Sequence, residues 1–142
     1  MSHSEVFPII EQKPFGTQLI IEFYDCSQTI LNDTKAINTI MLNAAKAANA
    51  TVVNHCFHKF SPHGVSGVVV IAESHITVHT WPESGYCAVD IFTCGNLIDD
   101  NLALEVLKAG FESQSEKIFR IERGLKNRLC NFLSLVNESS QH

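Results

Sequence analysis

The chain has no CxxC pair, and its five cysteines in 142 residues are odd in number. Neither a disulfide framework nor a zinc knuckle is indicated, and Cys26, Cys56, Cys87, Cys94 and Cys130 are expected to be reduced thiols. It also lacks the run of about eighteen apolar residues that a membrane helix needs, and its N-terminus lacks the basic and apolar regions of a secretory leader. No membrane partner is expected, and the cytoplasm is the expected location. Basic residues are scarce, 10 Lys and Arg against 15 Asp and Glu for a net charge of -5, and they form no stripe. The footprint of a nucleic-acid partner is therefore missing. With only 4 Pro and 7 Gly, no linker or low-complexity segment stands out. What is present, 45% hydrophobic and 18% charged residues, is the profile of a globular protein. The length suits one core, so residues 1–142 read as a single domain.

The β-branched, apolar run TQLIIEFYDC (Thr17–Cys26) predicts a strand. Asp33 stands where a helix N-cap belongs, and Ile37, Ile40, Met41, Ala44, Ala45 and Ala48 recur at three-and-four spacing. A helix over Thr34–Asn49 is expected, its apolar face on a sheet and Lys35, Asn43 and Lys46 outside. Four strand-like runs follow: ATVVNHCFHKF, GVSGVVVIAES, HITVHTW and YCAVDIFTC. Turn residues at Pro62-His63-Gly64, Glu73-Ser74 and Pro82-Glu83-Ser84-Gly85 separate them, the pattern of an antiparallel meander. DDNLALEVLKAGF reads as a second helix with acidic residues at its start, EKIFRIERG as a last strand, and LKNRLCNFLSLVNESSQH as a short amphipathic helix with a polar tail. The order predicts an α+β domain, an antiparallel sheet with helices on one face. Its other face needs cover, which a homodimer would supply.

Within these apolar strands stand polar groups that cost free energy unless paired or used. The period of two puts His75, Thr77 and His79 on one face and Ile76, Val78 and Thr80 on the other. Ser66, between Gly64 and Gly67, lies where close backbone approach is allowed. The bland readings are that the serines are hydrogen-bonded structure and the cysteines small hydrophobes. His55, His58, His63, His75 and His79 invite a metal, but there is no HExxH and few carboxylates lie near them, so none is expected. A thiol enzyme using Cys94 and His79 is conceivable on residue type, and spacing leaves it open.

From Phe57 to Gly95, FHKFSPHGVSGVVVIAESHITVHTWPESGYCAVDIFTCG closely resembles the prokaryotic S-adenosylmethionine decarboxylase proenzymes of the short, single-domain, pyruvoyl-dependent type. The likeness extends more thinly to GTQLIIEFYDCSQTILND, AAKAANATVV and IERG, and so covers most of Gly16–Gly124. It implies an enzyme that makes its own cofactor by cutting itself between Glu73 and Ser74, giving a β chain, 1–73, and an α chain, 74–142. The Ser74 hydroxyl would attack the Glu73 carbonyl to form an ester, with Ser66 assisting. His79 would remove the Cα proton of residue 74, and elimination and hydrolysis would leave a pyruvoyl group. That group would condense with the substrate amine and take up the electrons released with carbon dioxide. Cys94 matches the proton donor in catalysis.

Phe60 and Trp81 are expected at the nucleoside or the cationic sulfur, and Glu83 at the ribose hydroxyls. The implied assembly is a homodimer forming an αββα sandwich, with active sites near its interface, and the implied metal requirement is none. The implied product, decarboxylated S-adenosylmethionine, is the aminopropyl donor of spermidine synthesis. The alternative is the same machinery acting on arginine or ornithine, since the electron sink uses only an α-amine and a carboxylate. Two positions depart from the common pattern: Gln18, where His is frequent, and Cys87, where Ala is. Neither is expected to touch the chemistry.

Overall fold

The computed structural model describes residues 13–95, 98–126 and 133–135. Among them, seven strands form one antiparallel sheet in the order β2-β3-β4-β5-β1-β6-β7. They are β1 (Gly16–Tyr24), β2 (Val52–Lys59), β3 (Val65–Ile71), β4 (Ser74–Trp81), β5 (Tyr86–Thr93), β6 (Ser115–Arg123) and β7 (Leu133–Leu135). The helices are α1 (Gln28–Leu31), α2 (Thr34–Ala47) and α3 (Asp100–Phe111). A 3-10 turn at Pro82–Ser84 joins β4 to β5.

The expected sheet with helices on one face is what forms. Asp33 caps α2, its carboxylate accepting from the N–H groups of Lys35 and Ala36 at 3.0 and 3.1 Å. Ile37, Met41, Ala44 and Ala45 then point into a core with Leu19, Ile21 and Phe23 of β1 and with Val69, Ile76, Val78, Val89 and Ile91. Ala103, Leu107 and Phe111 of α3 complete it, and Phe111 meets Phe23 edge to face, ring centres 5.7 Å apart. Gly67 has a packing reason: a Cβ there would fall 2.1 Å from the Phe57 ring.

Two elements differ from expectation. The short helix α1 was not anticipated; Ser27 caps it at 3.3 Å, and four residues are too few for an apolar period to show. At the C-terminus, where an amphipathic helix was expected, Leu133–Leu135 pairs with β6 as an edge strand. A run that alternates as Leu-Ser-Leu fits either period, and the unpaired edge of β6 decides. Leu125 and Lys126, where that helix was expected to begin, are not helical, and the rest of it lies outside the described residues.

The second face of the sheet carries no helix among the described residues. Strand pairing lines its side chains up in rows: His58, Ser66, His79 and Ala88; Cys56, Val68, Thr77 and Asp90; Asn54, Val70, His75 and Phe92.

Candidate active site

The β3–β4 hairpin turns in two residues, Ala72 and Glu73, between the paired Ile71 and Ser74. Two-residue hairpins favour turns with positive φ at their centre, which Gly and Asn supply. Neither Ala72 nor Glu73 takes a positive φ; the deviation falls instead on Ser74, at φ 149°. A non-glycine residue in that region is strained and is held there by its surroundings.

Those surroundings grip the bond that precedes it. The Glu73 carbonyl oxygen accepts from the Cys94 backbone N–H at 2.9 Å and from the Cys94 thiol at 3.0 Å. Cys94 reaches it because Thr93, the last residue of β5, pairs with Ser74. The Glu73 carboxylate is turned away, accepting from the Thr51 N–H at 3.3 Å. The Ser74 hydroxyl lies 3.4 Å from Nδ1 of His75. A serine hydroxyl, a polarised carbonyl and a thiol thus converge on one peptide bond.

Ser66 and His79 form a second constellation. Facing each other across β3 and β4, they are joined by a 2.7 Å hydrogen bond between Oγ and Nδ1. His79 is five residues along an unbroken strand from Ser74, about 16 Å at the rise of extended chain. Within one chain it therefore does not meet the bond it was expected to act on.

The expected substrate residues cluster with this second group. Trp81 is 43% exposed and stacks on Tyr86 at 5.2 Å, which in turn stacks on Tyr24 at 5.6 Å. Phe60 is exposed and meets His58 edge to face at 4.7 Å. Glu83 pairs with His63 at 3.0 Å beside an open cleft of about 770 Å³ lined also by Asn32, Asp33, Lys59 and Pro82.

Glu22, Tyr86, Asp90 and Arg123 were not singled out from sequence. The Tyr86 hydroxyl donates to the Glu22 carboxylate, and burial followed by that bond pushes its pKa far up. Gln18 bridges Asp90 and Arg123 at 3.3 and 3.4 Å, and Asp90 also accepts from Thr77 at 3.3 Å. Period-two alternation placed Thr77 on the polar face of β4, but only pairing shows that it meets Asp90. Cys87 proves to be core: burial pushes its thiol well up and that of nearby Cys26 to about 11, so both act as small hydrophobes.

A family model described as "S-adenosylmethionine decarboxylase" matches residues 17–124. A Pseudomonas paraeruginosa protein named "S-adenosylmethionine decarboxylase proenzyme" is 51% identical over 119 residues, covering 84% of this chain and 74% of that one. A proenzyme of the same name from Thermodesulfovibrio yellowstonii is 48% identical over 110 residues, 78% and 82% of the two chains. Among solved structures, the adenosylmethionine decarboxylase of Aquifex aeolicus superposes with a TM-score of 0.75 at 30% identity, covering 84% of this chain and 99% of that one.

Proposed function

The chain belongs to the S-adenosylmethionine decarboxylase family, and on that premise we propose that it cuts itself between Glu73 and Ser74 into chains 1–73 and 74–142. It converts S-adenosylmethionine to decarboxylated S-adenosylmethionine and carbon dioxide. The relatives at about half identity carry that activity in their names, and the arginine or ornithine alternative is set aside. A pyruvoyl group derived from Ser74 would supply a carbonyl that accepts the electrons of the departing carboxylate.

The observation that carries the reading is the grip on the Glu73 carbonyl beside a serine at φ 149°. Attack by the Ser74 oxygen would put negative charge on that carbonyl oxygen. The Cys94 N–H and thiol already aim at it, so the charge develops into a prepared site; the amide donor is worth roughly 10²-fold in rate and the weaker thiol about several-fold. Relief of the strained φ adds to the drive. After the cut, the Cys94 thiol is freed from its acceptor and can return a proton to the substrate carbon.

The roles of Ser66 and His79 require a second copy. An imidazole about 16 Å away along its own strand cannot remove a proton from residue 74. Two sheets packed through their uncovered faces, related by a two-fold axis, would bring the Ser66–His79 end of one copy over the Glu73–Ser74 end of the other. The resulting αββα homodimer would hold two composite sites. With Nδ1–H donating to Ser66, Nε2 of His79 keeps the free lone pair that proton removal needs. Phe60 and Trp81 would reach the nucleoside and sulfonium from the same end, and Glu83 the ribose hydroxyls.

No helix among the described residues is long and apolar enough to cross a membrane, and we place the activity in the cytoplasm. The test is intact mass under denaturing, reducing conditions, before and after borohydride with S-adenosylmethionine. Two fragments meeting at Glu73/Ser74, with a reducible carbonyl and adduct on 74–142, support the proposal. A single 15.8 kDa species that never cuts would overturn it.

A further inference from the structure

We infer that His75 is the general base of the acyl shift, taking the Ser74 hydroxyl proton and returning it to the departing nitrogen. This deepens the self-cutting reading above and rests on it. Two observations carry it. Neighbouring residues on a strand point to opposite faces, so a serine and the histidine after it do not ordinarily meet. Here the unusual φ of Ser74, 149°, is accompanied by an approach of its Oγ to 3.4 Å from Nδ1 of His75. The ring is also held: His75 is half-buried and lies against Phe92 with centres 5.6 Å apart, and Phe92 is itself contacted by the Arg123 guanidinium at 4.9 Å.

The other groups around the bond are engaged otherwise. The Glu73 carboxylate accepts from Thr51, the Cys94 thiol donates to the Glu73 carbonyl, and His79 of the same chain is about 16 Å away. Within one chain, that leaves Nδ1 of His75 as the basic atom that the described residues place beside the hydroxyl. The step balances within the chain. As the Ser74 O–C(Glu73) bond forms, the hydroxyl proton moves to Nδ1. The Glu73 oxygen, briefly negative, is held by the two Cys94 donors. On collapse the Glu73–Ser74 C–N bond breaks, and the imidazolium gives the proton to that nitrogen, leaving an ester and a free amine. His79 acts afterwards, on the Cα proton, so the two histidines serve successive steps.

The experiment follows cutting of freshly synthesised His75→Ala, His75→Gln and His79→Ala by intact mass, with and without hydroxylamine, which severs an ester but not a peptide bond. Circular dichroism melts establish that each variant folds. Both His75 variants are expected to cut at least about 10²-fold more slowly, to yield no hydroxylamine fragments, and, for His75→Ala, to recover with added imidazole. His79→Ala is expected to accumulate an ester that hydroxylamine cuts. Wild-type cutting by either His75 variant overturns the inference, as does an accumulated ester in them, because the block would then follow the acyl shift. An unfolded His75→Ala leaves the decision to His75→Gln, which keeps a polar side chain without a base. Cutting by Ser74→Ala, by contrast, would sink the self-cutting reading itself.

Discussion

The two ends of the sheet are built for different work. At one end, Glu73, Ser74, His75 and Cys94 converge on a single peptide bond through a strained residue and hydrogen bonds of 2.9 to 3.4 Å. At the other, Ser66 and His79 pair beside a ladder of aromatic rings and an open cleft. In the proposed reading the first end supplies the reacting atoms, and the second a proton acceptor and surfaces for a ligand. About 16 Å of strand separates them, so under the proposed roles neither end is a complete site. In the proposed dimer, the face that carries no helix among the described residues would let one copy complete the other.

The largest effect that would break this comparison concerns the first end alone. Ser74→Ala removes the hydroxyl proposed to attack, so self-cutting should stop altogether, leaving one 15.8 kDa species by mass spectrometry. Next is the separation of the ends. His79→Ala should not cut by itself, but co-expression with Ser74→Ala should restore cutting of the His79→Ala chains in mixed dimers. Each such dimer pairs one intact Ser74 with one intact His79 across the interface. If the mixture stays uncut while both variants associate, the two ends do not combine between copies.

Cys94→Ala sharpens the comparison within the first end. It keeps the backbone N–H on the Glu73 carbonyl and loses the thiol donor, worth about 1 kcal/mol, so cutting should slow only several-fold. Turnover of S-adenosylmethionine should fall by about 10²-fold or more, because the proton donor is gone. Equal losses in both would merge the two roles. At the second end, Phe60→Ala should raise KM by roughly tenfold, the worth of about 1.4 kcal/mol of ring contact. Cutting should proceed, since the ring touches nothing at the scissile bond.

The smallest effect lies outside both ends. The Cys26 thiol is raised to about 11 in the fold from an ordinary 9, chiefly by burial, and Cys87 is raised in the same direction by the same cause. A raised thiol pKa means the unfolded chain loses its proton first. The stability these thiols contribute is intact below pH 9 and declines as pH rises from 9 towards 11. Melting temperatures across that range should fall less steeply for Cys87→Ala, measured relative to its own value at neutral pH. An unchanged slope would mean that these two thiols do not set the alkaline limit.

Much of this was legible without coordinates. Apolar spacing placed α2, Asp33 its cap, and alternation the polar face of β4, because each reflects chemistry within a few residues. The resemblance of Phe57–Gly95 to a known family pointed to Glu73, Ser74, His79 and Cys94. What could not be read was partnership. Ser74 and His79 are near in sequence but far in space, since extended chain spends about 3.3 Å on every residue. Ser66 and His79, or Glu73 and Cys94, are distant in sequence yet joined, because antiparallel pairing folds one strand back on the next. The sequence by itself determined the main elements, α1 and the C-terminal strand β7 excepted, together with the reactive residue types and the polar face. Only the tertiary structure decided which residues share an end of the sheet, and it put the strain on Ser74 because a two-residue turn without glycine must deviate somewhere.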